Sequence, residues 1–210
     1  MPSAVMALEL ATPQGPARAH LESVADPVAA IVFGHGAGGS VTAPDIGAAA
    51  AAARERRVLV ARVEQPYRVA GRRSAPRADR LDLAWAAVVE ELVVGPLHGL
   101  PLIVGGRSAG ARVACRTAAG TGAIGVLCLA FPLIPPPRKG ATATQTRQPE
   151  LDAVAVPVLV VQGERDRFGI PAPGPLRQVV CVSGDHGLKS DLEGVATAVA
   201  RWLAELLGPG

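Results

Sequence analysis

Six short runs along the chain are almost purely apolar: 29–33 (AAIVF), 58–63 (VLVARV), 100–106 (LPLIVGG), 124–131 (IGVLCLAF), 156–163 (VPVLVVQG) and 178–184 (QVVCVSG). None alternates with a period of two. Continuous Val/Ile/Leu runs bounded by Gly and Pro predict strands buried on both faces, as in a parallel sheet covered by helices. Helical segments are predicted between them. Pro44-Asp45 opens one through the alanines 48–53. Residues 74–93 carry Leu81, Leu83, Trp85, Val88, Val89 and Leu92 mostly at helical spacing, and 109–120 form a compact helix ended by Gly120. Leu192, Val195, Val199, Trp202, Leu203 and Leu206 make one apolar stripe, predicted to pack on the sheet. Ahead of these, VMALELAT and part of RAHLESV predict two antiparallel strands. The alternation gives an α/β fold: a doubly wound, mostly parallel sheet with helices on both faces, as a single domain over 1–210. Residues 132–157 are the longest unassigned connection. Their Pro-rich start and polar middle argue against a large lid domain.

Composition narrows the function classes. With 49% hydrophobic and 19% charged residues, the 210-residue chain can bury a substantial core. The net charge is +3, but the arginines are scattered and aromatics make up only 3%. A basic stripe interleaved with aromatics is missing, which argues against nucleic-acid binding. No apolar run approaches the ~18 residues of a membrane span, and the first twenty residues lack the pattern of a secretory signal. Cys115, Cys128 and Cys181 are odd in number and sit in apolar runs, so free buried thiols in a reducing compartment are expected. A cytoplasmic protein without a membrane partner is the resulting expectation.

Two glycine turns carry the chemistry. Gly34, Gly36 and Gly39 fit G-x-G-x-x-G, the dinucleotide-binding pattern, and Glu64 falls about where a ribose-binding acid would. The same Gly-His-Gly after a strand also fits an oxyanion-hole turn. Against the dinucleotide reading, the next helix starts too late, near Pro44. The second turn, LIVGGRSAGARVA, places Gly106-Arg107-Ser108-Ala109-Gly110 between a predicted strand and helix. That is the G-x-S-x-G nucleophile elbow in its required context.

A serine hydroxyl needs a base. Of the four histidines, His20 is peripheral, His98 precedes its strand at the wrong end of the sheet, and His35 belongs to the glycine turn. His186 follows the last strand, at the end of the sheet where active groups collect. The acid that orients it is Asp166, with Glu164 as backup; Asp185, adjacent to His186, should diverge from it. The order Ser108, Asp166, His186 is that of an α/β-hydrolase triad. The backbone N–H groups of Ala37 and Ala109 are the expected oxyanion donors, and His35 and Arg107 are candidate substrate contacts.

With these residues in place, the chain resembles the α/β-hydrolase superfamily over nearly its whole length, in particular the small lidless branch related to dienelactone hydrolases. It is also similar to the family containing the hydrolase-like domain of a non-specific-lethal chromatin-complex subunit and a testis-expressed protein. The segments carrying the resemblance are GHGAGG, EQPYRVAGRR, GGRSAGAR, AFPLIPP, VQGERDRFG and SGDHGLK. It implies a serine hydrolase fold without supplying a substrate. Where a dienelactone hydrolase usually carries cysteine, this chain has Ser108, which argues against dienelactone activity. The expectation is a serine hydrolase of an ester or thioester that needs no metal or organic cofactor. The alternative is a non-catalytic scaffold or ligand-binding protein on the same fold. Arg68, Arg72, Arg73, Arg107, Arg138 and Lys139 fall next to the expected catalytic edge. They are either a cationic rim for an anionic acyl group or solvated surface.

Overall fold

The computed structural model describes residues 5–135 and 146–208. In chain order the elements are β1 (Val5–Leu10), β2 (Ala17–Glu22), β3 (Ala29–Gly34), α1 (Pro44–Glu55), β4 (Val58–Glu64), α2 (Pro66–Val69), α3 (Ala78–Val94), β5 (Leu102–Arg107), α4 (Ala109–Thr121), β6 (Gly125–Leu129), α5 (Gln148–Asp152), β7 (Val158–Gly163), β8 (Arg177–Val182) and α6 (Leu192–Leu207). The strands form one eight-stranded sheet in the order β1-β2-β4-β3-β5-β6-β7-β8. β1 and β2 are antiparallel additions at one edge, as expected from the first residues, and β3 to β8 pair in parallel.

The unbroken apolar runs have a direct cause. Successive side chains of a strand point to opposite faces. Ile31 and Phe33 enter a core shared with α1 and α6. Ala30 and Val32 enter the other core, under α3 and α4. Neither face can be polar. On α6 the predicted stripe is buried at Val195, Val199, Trp202 and Leu203, and the helix is capped by Asp191, whose side chain accepts the Gly194 N–H at 2.8 Å. On α3, Leu83 lies off the buried stripe and is exposed.

Four local expectations need correction. α4 runs through Gly120 and ends at Gly122, which takes the left-handed conformation at φ 68°; a glycine stops a helix only where the chain turns out of it. The apolar and charge patterns missed α2 and α5, each too short to show a period. α5 lies inside the connection 132–157 and is held by Glu150, which accepts from Arg112 at 2.9 Å and Arg116 at 3.2 Å. Cys115 and Cys128 are buried, but Cys181 is exposed on the edge strand β8, which has a neighbour on one side only. No helix among the described residues is long and apolar enough to cross a membrane.

Trp85 of α3 is wholly buried, and its ring lies 3.1 Å from where a Cβ on Gly34 would sit. It therefore backs the end of the central strand. Trp85→Ala should lower stability by about 3–5 kcal/mol in urea titration. Trp85→Phe should cost much less, because the indole N–H has no hydrogen-bond partner among the described residues to lose.

Candidate active site

The carboxyl ends of β3, β5, β6, β7 and β8 meet around one serine, whose N–H donates to the Leu129 carbonyl of β6 at 2.9 Å. In the β3–β5 ladder Gly34 is paired with Gly106. A Cβ on Gly106 would lie 2.6 Å from the Gly34 carbonyl oxygen, and one on Gly110 2.5 Å from the same atom. Backbone thus packs on backbone here, and only glycine fits. The chain then turns sharply into α4, leaving Ser108 at φ 53°, ψ −107°. Such a conformation costs a non-glycine residue about 1–3 kcal/mol and persists only where the surroundings enforce it.

Ser108 Oγ lies 3.0 Å from His186 Nε2, and His186 Nδ1 lies 2.7 Å from Asp166 Oδ2. A carboxylate at Nδ1 sets the tautomer: Nδ1 carries the proton and the Nε2 lone pair faces the hydroxyl. The Asp166 side chain is wholly buried. Its Oδ1 accepts the Phe168 N–H at 2.9 Å, and its Oδ2 also accepts from Gln162 Nε2 at 2.8 Å. The same Gln162 nitrogen faces Phe131 O at 3.0 Å and Gly169 O at 2.9 Å. Phe168 meets the His186 ring edge-on with centroids 4.6 Å apart. Glu164 is exposed, and Asp185 turns its carboxylate to the Gly187 N–H at 2.8 Å.

Two candidate substrate contacts have other partners. The Arg107 guanidinium runs inward, its Nε donating to Asp45 Oδ2 at 2.8 Å and its Nη2 to the His186 carbonyl at 2.8 Å. It ties the elbow to α1 and to the histidine's main chain. Burial pushes the Asp45 carboxyl above its ordinary range, and the Arg107 charge pulls it back. His35 is buried: its Nδ1 donates to Gly36 O at 2.8 Å and its Nε2 accepts the Gln65 N–H at 3.1 Å. Burial lowers its pKa below 6.5, and Arg68 adds to the lowering, against opposing effects of the Gly36 hydrogen bond and Glu64.

The N–H groups of Ala37 and Ala109 meet no backbone acceptor among the described residues. Ala109 follows Ser108 as the first residue of α4, and Ala37 follows Gly36. Gly36 adjoins the elbow closely, since a Cβ there would lie 3.6 Å from Ser108 Cβ. The dinucleotide reading of 34–39 loses its support: α1 begins only at Pro44, and Glu64 lies near Arg18 and His20, at 3.6 and 3.5 Å. In the supposed rim, Arg107 is committed, Arg72 and Arg73 are exposed, and Arg68 is half-buried. Arg138 and Lys139 lie outside the described residues. Among the described residues no group of three His, Cys, Asp or Glu is placed to hold a metal.

Sequence reasoning missed Gln162, Asp45 and Tyr67. Gln162 had a signal, as the single polar residue inside an apolar run. Asp45 read as an ordinary first-turn acid, and Tyr67 gave no sign.

A family model described as an alpha/beta hydrolase domain matches residues 27–198. The chain belongs to the alpha/beta hydrolase domain family. This α/β-hydrolase has solved structural neighbours, one of them described as lidless. A serine hydrolase without lid from Xanthomonas campestris is 22% identical with a TM-score of 0.75, over 100% of this chain and 98% of that one. The dienelactone hydrolase of Anabaena variabilis is 16% identical with a TM-score of 0.76, over 98% and 99% of the two chains. Est1E from Butyrivibrio proteoclasticus is 16% identical with a TM-score of 0.77, over 96% and 98%. No curated protein sequence matches this chain.

Two outcomes test the inner supports. Arg107→Gln should cost about 3 kcal/mol, since Asp45 stays buried without its cation. Adding Asp45→Asn should recover part of the loss, measured by denaturant unfolding of the single and double variants. His35 is neutral when folded and protonates more readily when unfolded. Its contribution is therefore full above pH 6.5 and is lost as pH falls through the lowered folded pKa. The stability gap between wild type and His35→Asn should narrow on acidification from pH 7.5 to 5; a constant gap would contradict the assignment.

Proposed function

We propose that this α/β-hydrolase is a serine hydrolase that cleaves carboxylic esters or thioesters through an acyl-enzyme. The observation that carries the reading is the unbroken chain Ser108–His186–Asp166, with contacts of 3.0 and 2.7 Å. In the proposed cycle His186 Nε2 takes the Ser108 proton as Oγ attacks the acyl carbon. Negative charge forms on the acyl oxygen and is met by the N–H groups of Ala37 and Ala109. Each such donor is worth about 3 kcal/mol to the transition state. The N-terminus of α4 favours the same charge. His186 then returns the proton to the departing alcohol or thiol. Water, deprotonated by the same nitrogen, attacks the acyl-serine and releases the acid. Asp166 stays ionised throughout and stabilises the imidazolium. Est1E of B. proteoclasticus binds ferulic acid, a carboxylic acid, and a carboxylic acid is what this chemistry would release.

A fluorophosphonate probe should label the wild type at Ser108, and Ser108→Ala should abolish labelling without unfolding the chain. His186→Ala and Asp166→Asn should lower ester hydrolysis by about 10⁴-fold. Glu164→Gln should leave it nearly unchanged. Absence of labelling and hydrolysis in the wild type would favour the scaffold reading.

A further inference from the structure

The Ala37 N–H belongs to the Gly36–Ala37 peptide, and the turn that carries it is held from outside by the β4–α2 segment. On one side the Gln65 N–H donates to His35 Nε2 at 3.1 Å, and His35 Nδ1 donates to the Gly36 carbonyl at 2.8 Å. The Gly39 N–H reaches that carbonyl at 3.0 Å. These bonds fix one plane of the turn. The next plane is held by a single side chain, Tyr67, whose hydroxyl donates to the Ala37 carbonyl at 2.8 Å.

We propose that Tyr67 is a positioning residue for acyl transfer, whose hydroxyl holds the Ala37 carbonyl and so anchors Ala37 from the side opposite the His35 relay, keeping its N–H in place for the developing oxyanion. The role rests on the serine-hydrolase reading above. Ala37 is exposed and flanked by Gly36 and Gly38; the peptide before it is held through the Gly36 carbonyl, and among the described residues the peptide after it is held by Tyr67. Tyr67 is buried, and its ring is tilted against His35 with centroids 5.7 Å apart. Burial raises its phenol pKa above 10, with Arg68 opposing, so the hydroxyl remains a donor through the neutral range. The preceding relay and this clamp act on consecutive peptides. Losing the clamp frees the Ala37–Gly38 peptide and leaves Ala37 anchored from its N-terminal side alone, so its N–H is held less firmly while the elbow, His186 and Asp166 stay as they are.

Tyr67→Phe keeps the ring and deletes the hydroxyl. Its kcat on an activated ester should fall about 10- to 100-fold with KM nearly unchanged, as for a displaced catalytic group. Affinity for an alkyl boronic acid, which forms a tetrahedral adduct on serine, should fall by a similar factor. Affinity for the planar carboxylate product should hold. A merely structural role would weaken both ligands alike. Tyr67 is also the one tyrosine of the chain, so replacing tyrosine throughout by a polyfluorinated analogue changes this residue alone and preserves its shape. Ionising that phenol, which lies beside the charge of Arg68 and the ring of His35, removes the donor, and kcat/KM should then decline along the phenolate absorbance. Unchanged kcat and boronate affinity in Tyr67→Phe, with an active wild type, would overturn the positioning role alone. A wild type inert to both probe and ester would overturn the hydrolase reading and this role with it.

Discussion

The close approach of main chain to main chain at Gly34, Gly106 and Gly110 is the constraint on which the rest of the site depends. The end of β3 and the elbow after β5 touch with no room for a single Cβ. Because they touch, the turn bearing Ala37 and the turn bearing Ser108 share one small volume. The strain at Ser108 follows from the same contact, since the chain must leave β5 and enter α4 without colliding with its neighbour. Trp85 presses on Gly34 from α3, so the apolar core supports the crossing from behind. Burial of that core supplies the free energy that holds an unfavourable φ at the serine.

Above this crossing the site is a layer of hydrogen-bonded polar groups, in which Gln65 Oε1 and Gln162 Oε1 alone lack a partner among the described residues. Gln162 and the Phe168 N–H hold Asp166, Arg107 and Asp45 hold the main chain of His186, and Gln65, His35 and Tyr67 hold the turn at Ala37. Each group is desolvated, and an unmatched polar group in such surroundings is costly. The low local dielectric that makes a missing partner expensive also stiffens the matched set. Stiffness is what electrostatic stabilisation of a transition state needs, because dipoles already in place do not reorganise when charge develops.

The arginines have a related use. Arg54 and Arg62 flank Glu22, Arg112 and Arg116 share Glu150, Arg116 also binds Asp82, and Arg177 binds Asp152. These pairs join elements distant in sequence. The planar guanidinium suits them, since it can serve two acceptors at once and is weakly hydrated. Part of the basic composition is therefore structural, and Arg107 beside Ser108 belongs to that structural set.

Read by itself, the chain determined the fold class and the three residues of the candidate triad. Strand burial on both faces leaves continuous apolar runs, a nucleophile elbow demands glycines at fixed offsets, and strand ends are countable along the chain. Ser108, Asp166 and His186 were legible because each follows a strand at the same edge. Tertiary structure alone decided what His35 and Arg107 do. Both were placed at the correct edge, but the direction of a side chain depends on partners such as Gln65, Asp45 and the His186 carbonyl, far away in sequence. The supporting roles of Tyr67 and Gln162 were hidden for the same reason. A hydrogen bond to a main-chain atom or to a distant carboxylate depends on position and orientation, and residue type and spacing carry no record of either.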